Sequence, residues 1–177
     1  MQLPNEGLTG YKRLARGFEF IDPKHREYSP EVEKELGVVL QLPKRATQKS
    51  AAYDIFASLP ANNVIYINPG EKQFIPTNIK AYMMDWEVLL MWPRSSQGIK
   101  LDLMLANTTG VIDSDYCDNP DNDGHIGIFL RNVGDRVAEI RAGDRIAQCM
   151  FTTYLRTDND EAEALPERVG GVGHTGR

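Results

Sequence analysis

From Val38 onward, apolar residues come in short runs that alternate with turn-forming ones. Ala52-Tyr53-Asp54-Ile55-Phe56, Val64-Ile65-Tyr66-Ile67, Gln73-Phe74-Ile75, Val88-Leu89-Leu90-Met91-Trp92, Ile126-Gly127-Ile128-Phe129-Leu130 and Ile146 to Tyr154 are short apolar or alternating runs of the kind that form strands. Between them lie Asn62-Asn63, Pro69-Gly70, Gly98, Thr108-Thr109-Gly110, Asn132 to Gly134 and Gly143-Asp144, all turn signals. Short strands at this spacing, with no long segment of helical period, predict an all-β sandwich or barrel. Residues 1–38 read as an appendage. Within it Ser29-Pro30-Glu31, followed by Val32, Leu36 and Gly37, predicts a short helix with Ser29 as N-cap, Pro30 in the first turn and Gly37 as the stop. The barrel is expected over 39–157. From Asp158 the chain turns acidic and then glycine-rich, so 158–177 is expected to be a flexible tail.

A length of 177 residues suits one such domain with short additions. Hydrophobic residues at 41% and charged residues at 25% are the balance of an ordinary globular protein. No apolar stretch has the length of a membrane span and the first residues lack a signal-peptide layout, so a cytoplasmic protein without a membrane partner is expected. Cys117 and Cys149 make neither a disulfide framework nor a zinc cluster and are expected to be unpaired thiols. A net charge of −5 argues against nucleic-acid partners, which need clustered Lys and Arg, but leaves room for a small anionic ligand.

Four stretches have chemical potential. In Gly110-Val111-Ile112-Asp113-Ser114-Asp115-Tyr116 an apolar pair runs into two carboxylates and a ring, a general base beside a stacking surface. Spacing alone favours a solvated Asp-rich turn. Pro93-Arg94-Ser95-Ser96 ends a strand where two serines can cap a helical turn that receives a phosphate, or it is a plain strand-to-loop corner. Gly143-Asp144-Arg145-Ile146-Ala147-Gln148 reads by itself as a tight turn with an ion pair. Arg168 with Gly170, Gly171, Gly173 and Gly176 is either a free tail or a flap that closes on phosphate. Asn119 to Gly124 imitates a calcium loop, but Leu130 stands where its bidentate Glu belongs. His25, His125 and His174 have no partner at zinc-ligand spacing, and no Gly-x-Ser-x-Gly elbow exists.

In this order the pieces resemble the trimeric dUTPases over roughly residues 40–176. Five blocks carry the resemblance: Ser50-Ala51-Ala52-Tyr53-Asp54, Pro93-Arg94-Ser95-Ser96, Gly110 to Tyr116, Gly143 to Gln148, and Arg168 to Gly176. The appendage and the insert Asp118 to Gly124 are similar to a branch from Gram-positive bacteria and their phages. The resemblance implies a jelly-roll-like β-barrel, a homotrimer with active sites shared between subunits, and Mg²⁺-assisted hydrolysis of dUTP to dUMP and pyrophosphate. It makes Asp113 the base that activates water for in-line attack on the α-phosphorus, and puts Tyr116 under the deoxyribose where a 2′-hydroxyl would clash. Backbone near Gly110 and Gly127 would read uracil, Asn107 would hold the attacking water, and Arg94, Ser95, Ser96 and Gln148 would hold phosphates. Asp54 would orient Mg²⁺ through water. Arg168, Val172, His174 and Thr175 would fold over the ligand from another subunit.

The sequence departs from the family where Val172 replaces the tail's aromatic ring, where His174 replaces Ser and where Ala52 replaces Gly. Two alternatives go with the resemblance. A dCTP deaminase of the same fold would carry a catalytic Glu on the strand after the hairpin, and Ile128-Phe129-Leu130-Arg131 has none. An added regulatory role, binding a repressor-type protein, would use the insert at 117–124 as an exposed surface.

Overall fold

The computed structural model describes residues 13–160, 168 and 170. Twelve strands and two short helices occur among them: β1 Gly17–Phe20, α1 Pro30–Leu36, β2 Lys44–Arg45, β3 Tyr53–Phe56, β4 Val64–Ile67, β5 Lys72–Ile75, β6 Ile79–Tyr82, β7 Glu87–Trp92, α2 Ser95–Lys100, β8 Leu103–Leu105, β9 Gly110–Asp113, β10 Ile128–Asn132, β11 Ala138–Arg141 and β12 Arg145–Thr153. Their pairings are antiparallel throughout. A five-stranded sheet in the order β2-β3-β12-β7-β9, the three-stranded β5-β10-β8 and the ribbons β1-β6 and β4-β11 share one core in an all-β fold of jelly-roll type.

Alternation decides which face of each strand turns inward. In β10, Ile128, Leu130 and Asn132 are buried while Phe129 and Arg131 are exposed, as the period of two requires. These side chains join Ile55, Ile67, Ile75, Leu89, Leu105 and Ile140 in one core. Asn132, fully buried, is affordable there because its amide donates to the carbonyls of Ile67 (2.8 Å) and Arg136 (2.7 Å) and its oxygen accepts from the Gly134 N–H (2.9 Å). The Asn132–Gly134 turn signal is thus also a core plug.

The expected helix forms as α1. Ser29 caps it by accepting from the Val32 N–H, Pro30 opens it, and Gly37 ends it at φ 63°. The segment read as an appendage also holds β1, which pairs with β6 and brings Phe18 and Phe20 against the core. Gly98, read as a turn between strands, lies inside α2. Both cysteines are free, and burial pushes each thiol up to about 12, so neither is a thiolate at neutral pH. No helix among the described residues is long and apolar enough to cross a membrane.

The insert is less exposed than expected. Asp118, Pro120 and Asp121 face solvent, whereas Asn119, Asp123 and Gly124 turn inward. They do so because Lys80, buried in the middle of β6, draws them in: its ammonium donates to Asp118 and to both oxygens of Asp123 (3.0 Å). Buried Arg13 donates to Asp118 and Glu19. Burial raises the Asp118 carboxyl, but these donors outweigh it and hold it at about 2.

Candidate active site

The strand pair β7–β9 sets the site. Gly110 opens β9 opposite Met91, and Asp113 closes it opposite Val88. The chain then makes a 3-10 turn, Ser114–Tyr116. Asp113 precedes that turn without capping it, so its half-exposed carboxylate is not consumed by local structure. Tyr116 folds back and is 7% exposed. Its hydroxyl donates to the His125 carbonyl and accepts from the Asn122 amide, each at 2.9 Å.

Asp113 and Tyr116 line a cleft of about 650 Å³ together with Asn107, Gly110, Gly127 and Arg168. Asn107 is exposed on the β8–β9 turn, beside Thr108 at φ 63°. A side chain at Gly110 would collide with Met91, and one at Gly127 would come within 2.1 Å of the Phe74 ring, so both glycines let neighbours approach. The Gly127 N–H is already donated to the His125 carbonyl (3.1 Å). Arg168 reaches in from the tail. It donates to Asp113 and Asp115, both at 2.8 Å, and its guanidinium lies 5.7 Å from the centre of the Tyr116 ring.

A second cleft, lined by Asp54, Arg94, Ser95, Ser96, Gln148 and their neighbours, shares no residue with the first. Arg94, not a serine, is the N-cap of α2, which leaves Ser95 and Ser96 in its first turn. Gln148 lies across from Asp54 on β3 and from Trp92 on β7, and donates to the Pro93 carbonyl (3.1 Å). The Arg94 Nε donates to the buried Asp54 at 2.7 Å, and Arg145 approaches the other carboxylate oxygen at 3.4 Å. Arg145 therefore pairs across the sheet rather than within its own turn.

Asp54 tests the fit of a metal. Both of its oxygens already face guanidinium groups, and no cluster of three His, Cys, Asp or Glu exists among the described residues. This donor set does not chelate an ion by itself. An ion beside Asp54 would have to keep its own waters and take its inner oxygens from a ligand.

The register also measures how far apart the two clefts are. Gln148 sits opposite Trp92, Asp113 opposite Val88 on the other side of β7. Two strand spacings and four residues of rise separate Gln148 from Asp113 by roughly 16 Å. Val172, His174 and Thr175 lie outside the described residues. Sequence reasoning missed Phe74, Asn122, His125 and Phe129, which line the first cleft. Each is an ordinary core or loop residue in sequence, and only the pairing of β5 with β10 and the fold of the insert bring them to the cleft that Tyr116 lines.

The dUTPase family model matches residues 39–176. A deoxyuridine 5′-triphosphate nucleotidohydrolase of Lactococcus lactis subsp. lactis is 45% identical over 137 residues, covering 77% of this chain and 89% of that protein. The dUTPase crystal structure from Streptococcus mutans superposes with a TM-score of 0.65 at 38% identity, covering 81% of this chain and 99% of that one. A dUTPase from phage phi11 of S. aureus, in which a structural Mg(II) ion is coordinated, shares the fold at a TM-score of 0.60 and 18% identity, covering 86% and 99%. By family model, by sequence and by fold, this chain belongs to the dUTPase family.

Proposed function

We propose that the protein hydrolyses dUTP to dUMP and pyrophosphate with Asp113 as general base, which keeps uracil out of DNA and supplies dUMP. The observation that supports the assignment is the placement of Asp113: a half-exposed carboxylate that caps nothing and pairs, among the described residues, only with the tail's Arg168, in a cleft lined by Tyr116, Gly110 and Gly127. Uracil enters that cleft against the backbone near Gly110 and Gly127. The deoxyribose lies on Tyr116, whose ring takes the space of a 2′-hydroxyl. Water held near Asn107 gives its proton to Asp113 as it attacks the α-phosphorus in line, and the pyrophosphate oxygen leaves on the opposite side.

The β- and γ-phosphates need cations and hydrogen-bond donors, and Arg94, Ser95, Ser96 and Gln148 have that chemistry. They are poorly placed for a phosphate chain attacked beside Asp113 of their own chain, because roughly 16 Å of backbone separates Gln148 from Asp113. Supply of these groups by a neighbouring copy supports a homotrimer with shared sites. Arg168 has to release Asp113 and Asp115 before catalysis, and the tail then closes over phosphates on a neighbouring copy. Asp54 would hold Mg²⁺ through its waters, and the ion would add positive charge where the leaving group becomes negative.

The dCTP deaminase alternative finds no carboxylate on β10. Turnover assays with dUTP, UTP, dTTP and dCTP test the assignment. Pyrophosphate from dUTP alone is expected; ammonia from dCTP, or no turnover of dUTP, refutes it. Within the insert Asp118, Pro120 and Asp121 face solvent, the surface that a repressor-type partner would have to use.

A further inference from the structure

We propose that Asn122 is a positioning residue that fixes the pose of the Tyr116 ring and thereby sets how strictly the site rejects ribose. The proposal rests on the reading of Tyr116 as the sugar-selecting ring. Rejecting one hydroxyl by contact requires the ring to hold its place, because a ring free to shift relieves the clash on which the discrimination rests.

Tyr116 is held at both ends by the insert. Its backbone carbonyl accepts from the Asn119 amide (2.8 Å), and its hydroxyl accepts from the Asn122 amide (2.9 Å). The network leaves one consistent assignment of protons. Asn122 Oδ1 faces two donors, the Gly124 N–H (3.1 Å) and Asn119 Nδ2 (2.8 Å), so its NH₂ must be the end that faces Tyr116. The His125 carbonyl can only accept, so the Tyr116 proton points to it and a lone pair is left for Asn122. Asn119 is oriented in the same way, its Oδ1 accepting from the N–H groups of Asp121 (3.1 Å) and Asn122 (3.2 Å).

The frame around this network is stiff. Lys80 pins Asp118 and Asp123 on either side of Asn122, and Arg13 pins Asp118 again. Gly124 stands at φ +81°, where any side chain would come within 2.8 Å of the Tyr116 carbonyl. Asn122 itself lines the cleft, so it links the buried charge cluster to the ring that meets the sugar.

The test measures kcat/KM for dUTP and for UTP, with thermal unfolding as a check on the fold. Asn122→Ala is expected to lower the dUTP/UTP ratio by roughly tenfold, the scale of one hydrogen bond. Tyr116→Phe, which removes the hydroxyl that Asn122 holds, is expected to do the same. If Asn122 acts through that hydroxyl, Asn122→Ala in the Tyr116→Phe background changes the ratio no further. An unchanged ratio in Asn122→Ala, or an equal second drop in the double variant, overturns the proposal. Should Asn122→Ala fail to fold, Asn122→Ser takes its place, because its hydroxyl can still accept from the Gly124 N–H but is too short to hold the Tyr116 hydroxyl; an unchanged ratio in that variant overturns the proposal. Tyr116→Ala separates the two levels: a ratio it does not narrow refutes the sugar-selecting role, and the proposal falls with it.

Discussion

Asp113→Asn exchanges a carboxylate for an amide of the same shape and removes the proposed base without touching the barrel. The Asp113 side chain is 53% exposed, caps nothing, and has the Arg168 guanidinium at 2.8 Å as its ion-pair partner. An exposed pair of this kind contributes about 0.2–1 kcal/mol, so the unfolding temperature should move by a few degrees at most. Loss of a general base, by contrast, lowers turnover by about 10²–10⁴-fold, a barrier increase of about 2.7–5.4 kcal/mol. The two readouts therefore separate cleanly. Steady-state pyrophosphate release should show kcat reduced by at least about 10²-fold, with near-normal affinity for a non-hydrolysable dUTP analogue. A kcat within a few-fold of the parent refutes Asp113 as base. A loss of activity matched by an equal loss of affinity or stability would mean that the carboxylate only holds structure.

Two further tests address the tail and the pocket wall. Deleting residues 168–177 should cut kcat/KM for dUTP by at least about tenfold while the assembly state stays unchanged, because Arg168 contacts cleft residues rather than the core; equal activity of the truncated and full-length proteins sinks the flap. His125 is held by burial at about 4, below the ordinary histidine value near 6.5, while its Nε2 accepts from the N–H groups of Thr77 and Asn78. Between those two values the unfolded chain binds a proton that the folded chain does not. Stability is therefore full above about pH 6.5 and falls by about 3 kcal/mol as pH drops to about 4. His125→Gln keeps an acceptor without titrating, and unfolding temperatures followed across this range should fall less steeply; identical slopes would contradict the reading.

Much of this architecture is written locally. Ser29, Pro30 and Gly37 specify α1 because capping and left-handed backbone are properties of a few adjacent residues. The apolar runs at 64–67 and 88–92 form β4 and β7 for the same reason, since a short continuous apolar run bounded by turn residues is a local signal. The clustering of Asp113 with Tyr116, and of Arg94 with Ser95 and Ser96, was also visible, because each set lies within a few residues of chain. Strand β6 was not. Lys80 interrupts its apolar pattern, and only the folded chain supplies Asp118 and Asp123, some forty positions away, to make a buried lysine tolerable. Strand β1 was missed because four residues with one glutamate carry little signal until β6 pairs with them. The same limit governs the site. Sequence order lines up Asp54, Arg94, Asp113 and Gln148 as if they formed one constellation, whereas strand register puts Gln148 and Asp113 two strands and four residues apart, in separate clefts. Distance along a sheet depends on which strands pair and in what register. That is a property of long-range hydrogen bonding, which no local pattern encodes.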